Sequence, residues 1–236
     1  MPDSRDSPST KDPEALRSEI LPLFPLASVV LFPELQVPLF IFEPRYRQMV
    51  EAALAGDRLI GMVTAVPQQL DQMPGDPEVF PIGCAGRIES CNQRDDGTYN
   101  IVLAGIARFR LERELDRPEG QLFRRAQTTF LIDDTTESDA GVARQLRARV
   151  HERYGELLAR TAPQYLQQLQ SSTLAEISDE IYANTISLSL DIDSIEKQSL
   201  LEAPSTTIRL ERLLAVLDFK LANPLPSGPA NPTSIQ

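Results

Sequence analysis

One histidine, two cysteines and three lysines are all that 236 residues supply, and each scarcity closes a route to chemistry. The His and Cys side chains are scattered and cannot assemble a zinc site by themselves. Two thiols, Cys84 and Cys91, cannot build a disulfide framework. They read as small buried hydrophobes, which fits a reducing cytoplasm. His151 stands among Arg147, Arg149, Glu152 and Arg153, where a solvated imidazole is expected rather than a catalytic one. A Ser-Lys dyad needs a lysine of lowered pKa in a buried pocket. Lys11 falls in an N-terminal tail, while Lys197 and Lys220 fall on amphipathic helices and read as exposed. The familiar motifs are missing as well: no Gly-x-Ser-x-Gly elbow, no Gly-x-x-x-x-Gly-Lys-Ser/Thr loop and no Gly-x-Gly-x-x-Gly fingerprint. No metal or cofactor is expected.

Positive charge is also short. Against 34 Asp and Glu there are 23 Lys and Arg, a formal net charge of -11 and a pI near 4.7. Such a surface repels phosphate backbones, so nucleic acid is not an expected partner. Apolar runs are short too. The longest uncharged one, Ile20 to Pro33, carries three prolines and cannot cross a bilayer. The first residues lack the apolar core of a signal peptide. A soluble, cytoplasmic protein with no membrane partner is the expectation.

What is present is a single change of hydrophobic period. From about 20 to 132 the period is mostly two. Arg108-Phe109-Arg110-Leu111-Glu112 alternates polar and apolar, as a strand with one wet face does. Ile82, Cys84, Gly86 and Ile88 share one strand face, Asp96-Gly97 marks a hairpin, and Ala126, Thr128, Phe130 and Ile132 suggest a further strand. Prolines from 22 to 81 argue against long regular central strands and for a closed or irregular small sheet. The arginines at 108, 110, 113, 117, 124 and 125 are interleaved with Glu112, Glu114, Asp116 and Glu119, which predicts cross-strand ion pairing. Acidic pairs at Asp95-Asp96 and Asp133-Asp134 read as turn and linker residues.

From about 138 the period becomes helical. Val142, Leu146, Val150, Tyr154 and Leu157/Leu158 form one stripe, and Leu174, Ile177, Ile181 and Leu188 a second. Asp193 with Glu196 reads as a capping box for a helix through Leu201. Pro204 interrupts, Ser205, Thr206 or Thr207 can cap the next helix, and Leu210, Leu213/Leu214, Leu217 and Leu221 line the last. The expected organisation is a disordered tail at 1–17, a β-rich lobe at 18–134, a helical bundle at 137–222 and a disordered tail at 223–236, with a polar linker from Asp133 to Glu137. In the stretch PLFIFEPRYRQMV, residues 38–50, the strand ends at Phe42. Pro44 opens a helix that runs to about Ala55 with Tyr46, Met49, Val50 and Ala53 at helical spacing, and Gly56 is its left-handed stop.

Leu21-Pro22-Leu23-Phe24-Pro25-Leu26, then Val29-Val30-Leu31-Phe32-Pro33, then Pro38-Leu39-Phe40-Ile41-Phe42-Glu43-Pro44-Arg45-Tyr46, resembles the amino-terminal substrate-binding domain of Lon proteases. Gly83-x-x-Gly86, Gly97 with Tyr99, Leu103-x-Gly105, Arg108-Phe109 and Lys197-Gln198-x-Leu200-Leu201-Glu202 are similar to its later elements. The likeness spans about 20 to 222. Glu34 departs from it, where many stand-alone members have Gly after Phe-Pro. The resemblance implies an α+β fold: a PUA-like small β-barrel lobe followed by a C-terminal helical bundle. It also implies a protein related to proteolysis that lacks the ATPase and Ser-Lys protease modules, since the sequence stops at Gln236, and hence the stand-alone form. The expected function is non-catalytic binding of unfolded or exposed apolar polypeptide, through Phe32, Pro33 and Leu35 in the loop after Val-Val-Leu-Phe-Pro. For Phe32 and Pro33 a core or turn role is an equal reading; Leu35 is the one expected to be exposed. The alternatives are an adaptor or regulator docking on a full-length Lon protease or other partner, a hydrolase with an unrecognised site, and RNA binding through the PUA-like lobe.

Overall fold

The computed structural model describes residues 18–67, 75–133, 137–169, 174 and 176–223. The expected disordered tails lie outside these residues, apart from Asn223, which follows the last helix; linker residues 134–136 lie outside them too. Two compact units share the chain: the residues up to Asp133 together with Leu188–Glu202, and Asp134–Ser187 together with Ala203 onward.

The first unit is a mixed six-stranded sheet with the order β2-β5-β4-β3-β1-β6. Its strands are β1 (Ser18–Leu26), β2 (Gln36–Ile41), β3 (Leu59–Thr64), β4 (Ile82–Gln93), β5 (Tyr99–Leu115) and β6 (Arg124–Phe130). β5 also pairs with β6, so the pairings run in a closed ring through β5, β4, β3, β1 and β6, with β2 attached to the first half of β5. The prolines excluded long strands only where they occur. Past Pro81 there is none until Pro118, and β4 and β5 run for 12 and 17 residues. β1, which contains Pro22 and Pro25, manages by changing partner: its first part pairs antiparallel with β6 and its last part parallel with β3.

Leu21, Leu23, Val63, Ala85, Phe109 and Ala126 form one buried cluster of this unit. At roughly 1.5–3 kcal/mol for each large apolar side chain removed from water, such clusters are what offset chain entropy. The hairpin between β4 and β5 turns at Arg94–Thr98. Gly97 N donates to Arg94 O at 2.9 Å, and Gly97 takes φ 78°, so the loop is a three-residue turn closed by a left-handed glycine. Helix α1 (Pro44–Leu54) starts at Pro44 as expected and buries Tyr46, Met49, Val50 and Ala53. Tyr46 lies 4.5 Å, ring to ring, from Phe24, and burial pushes its hydroxyl up to about 12. The left-handed residue after this helix is Arg58, φ 62°, not Gly56; the turn runs on two residues because Arg58 N donates back to Ala53 O at 2.9 Å.

Arg108 corrects the simple alternation read in β5. It is 4% exposed rather than on a wet face, because its guanidinium donates to Leu201 O at 3.1 Å and pairs with Asp133. Leu201 ends α5 (Ser194–Leu201). The same helix sends Gln198 into the sheet, where Nε2 donates to Ile82 O at 2.8 Å and Oε1 accepts from Thr64 Oγ1 at 2.7 Å. These bonds explain why Leu188–Glu202, helical in period and expected within a helical lobe at 137–222, belongs to the same unit as the strands. The expected cross-strand ion pairing occurs between Arg124 and Glu114, while Arg117 pairs with Asp76.

The second unit contains α2 (Glu137–Thr161), a short helical turn at Pro163–Tyr165 continuing into α3 (Leu166–Leu169), most of α4 (Asp179–Ser189), and α6 (Thr206–Ala222). α2 lies along α6. Ala143, Leu146, Val150 and Leu158 are buried on α2, but Val142 is 46% exposed. A strict four-residue step drifts around a 3.6-residue helix, so Val142 rotates off the face. On α4 the buried apolar residues are Tyr182, Ala183 and Ile186 rather than Ile181. The caps hold: Asp193 and Glu196 form the reciprocal box, and Ser205 Oγ accepts from Ile208 N at 3.3 Å.

Candidate functional site

The loop proposed from the sequence leads directly into β2, and its burial decides which of its residues can meet a ligand. Phe32 is 0% exposed and Pro33 is buried, while Leu35 is half-buried and Glu34 exposed. Phe32 and Pro33 are therefore wall rather than contact surface. The reason is a backbone clamp on β5. Glu34 N donates to Gly105 O at 2.9 Å, and Gly105 N donates to Leu35 O at 2.8 Å. That clamp forces Glu34 to φ 62°, a left-handed conformation that favours glycine. The departure from the resembling pattern thus falls on the one residue of the loop where glycine has a conformational advantage. Left-handed backbone costs a non-glycine residue about 1–2 kcal/mol, and the added freedom of glycine in the unfolded chain returns about 0.4–1. Glu34→Gly should therefore stabilise the protein by up to about 1 kcal/mol in urea denaturation, with Glu34→Ala giving no such gain.

From Glu34 onward the chain alternates, and one side of it faces solvent: Glu34, Gln36, Pro38, Phe40 and Phe42 are all exposed. Phe40 is 49% and Phe42 55% exposed, while Val37 and Ile41 point inward. The two rings stack on each other, 5.8 Å between centroids at 30°, and the Arg94 guanidinium lies 5.5 Å over Phe40. Beside them on β5, Val102 and Ala104 are half-buried at positions paired with Pro38 and Gln36. β2 ends the strand order. Pro38, which has no N–H to give, blunts its outer edge against ladder pairing. The surface therefore offers apolar side chains more than backbone. Sequence reasoning missed Phe40 and Phe42; the available signal was that Val37 to Phe42 is apolar at both parities, which a strand with one wet face is not.

Among the described residues no cluster of three or more His, Cys, Asp or Glu side chains could hold a metal ion. His151 Nδ1 is 3.2 Å from the Tyr182 hydroxyl, inside the second unit. Lys197 is half-buried rather than exposed, and burial lowers its pKa. Its amine donates to Leu188 O at 3.0 Å in the last turn of α4, where a cation suits the helix end.

A family model described as the ATP-dependent protease La (LON) substrate-binding domain matches residues 20–218. The chain belongs to the LON substrate-binding domain family. The matched domain is the substrate-binding part of Lon, not its protease or ATPase part. Among curated proteins, the Lon protease of Escherichia coli K12 is 28% identical over 212 residues, and that of Buchnera aphidicola 26% identical over 210 residues. Each alignment takes in 89% of this chain and 26% of the relative, so the chain spans about a quarter of the length of these Lon proteases. Two solved structures share the fold. The Lon N-terminal domain protein from Xanthomonas campestris is similar at a TM-score of 0.56 and 24% identity, covering 84% of this chain and 98% of that one. The N-terminal domain of Mycobacterium avium complex Lon protease is similar at 0.64 and 15%, covering 85% and 98%. The fold is thus the mixed-sheet α+β fold of Lon N-terminal domains, and among the described residues no helix is long and apolar enough to cross a membrane.

Proposed function

We propose that this LON substrate-binding domain captures polypeptide segments that expose apolar side chains, and that it does so without breaking bonds. The observation that carries the reading is the stacked, solvent-facing pair Phe40 and Phe42 on the terminal strand of the sheet. Contiguous exposed apolar surface is a usual mark of an interaction site. Leu35, half-buried at the start of the same row, is the one member of the expected loop set that retains accessible surface, and we assign it to the rim of the contact.

The closed ring of strand pairings supports a small PUA-like barrel, and the stripe of α6 against α2 supports a helical bundle after it. Cys84 and Cys91 are not disulfide-bonded, which accords with a reducing cytoplasmic setting, and the negative net charge disfavours RNA and anionic membranes as partners. The alternative, an adaptor that docks on a full-length Lon protease or other partner, would do so through the helices of 137–222; the distinction lies in whether unfolded chains bind at all. A reduced, carboxymethylated, fluorescein-labelled polypeptide should bind the protein saturably in fluorescence anisotropy. Phe40→Ser with Phe42→Ser should weaken that binding about tenfold or more while leaving thermal unfolding nearly unchanged, since both rings are exposed. Unaltered affinity in the double variant removes β2 from the contact.

A further inference from the structure

The polypeptide-binding reading leaves open what a bound segment carries besides apolar side chains, and the surroundings of the ring pair answer it. Arg94 stands over Phe40 at the head of the β4–β5 turn. Arg47, in the first turns of α1, lays its guanidinium against Gly97 in the same turn. Among the described residues neither arginine forms an ion pair. Four neighbouring carboxylates are already engaged. Glu43 holds Arg45 at 2.9 Å, Glu51 accepts from the Tyr99 hydroxyl at 3.0 Å, and Glu89 accepts from Gln36 Nε2 at 2.6 Å. Asp96 accepts from Thr98 N at 3.0 Å and Oγ1 at 2.6 Å, bonds that hold its carboxyl below the usual range, with Arg94 a smaller contributor. Asp95 stands in solvent at the turn.

A chain of net charge -11 thus places beside its exposed ring pair two arginines that form no ion pair among the described residues. A guanidinium stacked on a ring keeps its N–H edges available, in the planar fork that a carboxylate matches. We propose that Phe40, Phe42, Arg47 and Arg94 form a docking site for an apolar peptide segment that carries a carboxylate, the rings taking an apolar side chain and the arginines the acid. A second copy of this chain fits worse: a two-fold contact would set these arginines against their own copies and bring two strongly acidic molecules together.

The test uses the whole chain at low salt and three short fluorescein-labelled peptides: one alternating Leu and Asp, and two in which Asn or Lys replaces Asp. The Asp peptide should bind best, the Asn peptide about fivefold more weakly and the Lys peptide more weakly still. Arg47→Glu with Arg94→Glu should reverse the order of the Asp and Lys peptides. Arg94→Gln, a milder change, should reduce the preference for Asp over Asn. Phe40→Ser with Phe42→Ser should weaken all three. Equal affinity for the three peptides, or an order unmoved by the arginine variants, overturns the proposal; if binding still depends on the two rings, the polypeptide-binding reading survives that result. Failure of every peptide and of the unfolded polypeptide overturns both. Sedimentation showing a self-association that the ring variants abolish, and with which the Asp peptide does not compete, assigns the surface to a second copy and overturns the proposal as well.

Discussion

Gly105→Ala should destabilise the protein by about 3 kcal/mol or more. A Cβ built on Gly105 falls on the carbonyl oxygen of Phe32, with that carbonyl carbon at 2.9 Å and the Pro33 Cα at 3.2 Å. These are backbone atoms, so no side-chain rotation relieves the contact. The loop must move off β5. It then gives up the bonds from Glu34 N to Gly105 O and from Gly105 N to Leu35 O, and it lifts Phe32, a fully buried ring. Overpacking contributes about 1–3 kcal/mol and each lost hydrogen bond about 0.5–1.5. In urea, at an m value of about 2 kcal/mol per molar, the midpoint should fall by about 1.5 M or more. A fall of less than about 0.5 M at that m value means that the loop is not held by this approach.

Arg108→Ala should cost about 3–5 kcal/mol, the range for removing one partner of a buried ion pair. Arg108 is 4% exposed and the side chain of its partner Asp133 12%. Loss of the guanidinium leaves that carboxylate without its cation and frees the Leu201 carbonyl at the end of α5. The effect should be specific to the pair. Arg108→Met combined with Asp133→Leu removes both charges and should recover most of the loss, because an apolar replacement avoids the desolvation of either ion. Hydrogen exchange in the single variant should rise first at the amides of α5, which Arg108 ties to the sheet. If Arg108→Ala changes stability by less than about 1 kcal/mol, the tie is surface decoration.

Local chemistry made part of this legible in the sequence. Pro44 at a helix start, the Asp193/Glu196 box and Ser205 before Thr206 each act within one turn of chain, so residue type alone locates them. The change of hydrophobic period also falls where strands give way to helices. What escaped depends on partners distant in sequence. Arg108 looked solvent-facing because alternation records only which way a side chain points, not what comes to cover it; α5, some 90 residues on, supplies the cover. Phe40 and Phe42 share a strand with Leu39 and Ile41, and a strand apolar at both parities does not reveal which parity is wet. Phe32 and Pro33, in the stretch that carries the resemblance, are held against Gly105, and that clamp removes them from solvent. Glu34 was the informative departure: it marked a backbone conformation rather than a contact.

The proposed function has two parts, that an exposed apolar surface grips other chains and that no bond is broken in the process. Its most direct test mixes the purified protein with a reduced, carboxymethylated polypeptide, with and without ATP, and follows bound fraction by anisotropy and chain integrity by mass spectrometry in one sample. Binding should be saturable and lost on Phe40→Ser with Phe42→Ser, with full recovery of the intact polypeptide after prolonged incubation. Fragments that accumulate with time and vanish on a single substitution in this chain, or the absence of any binding, would contradict it.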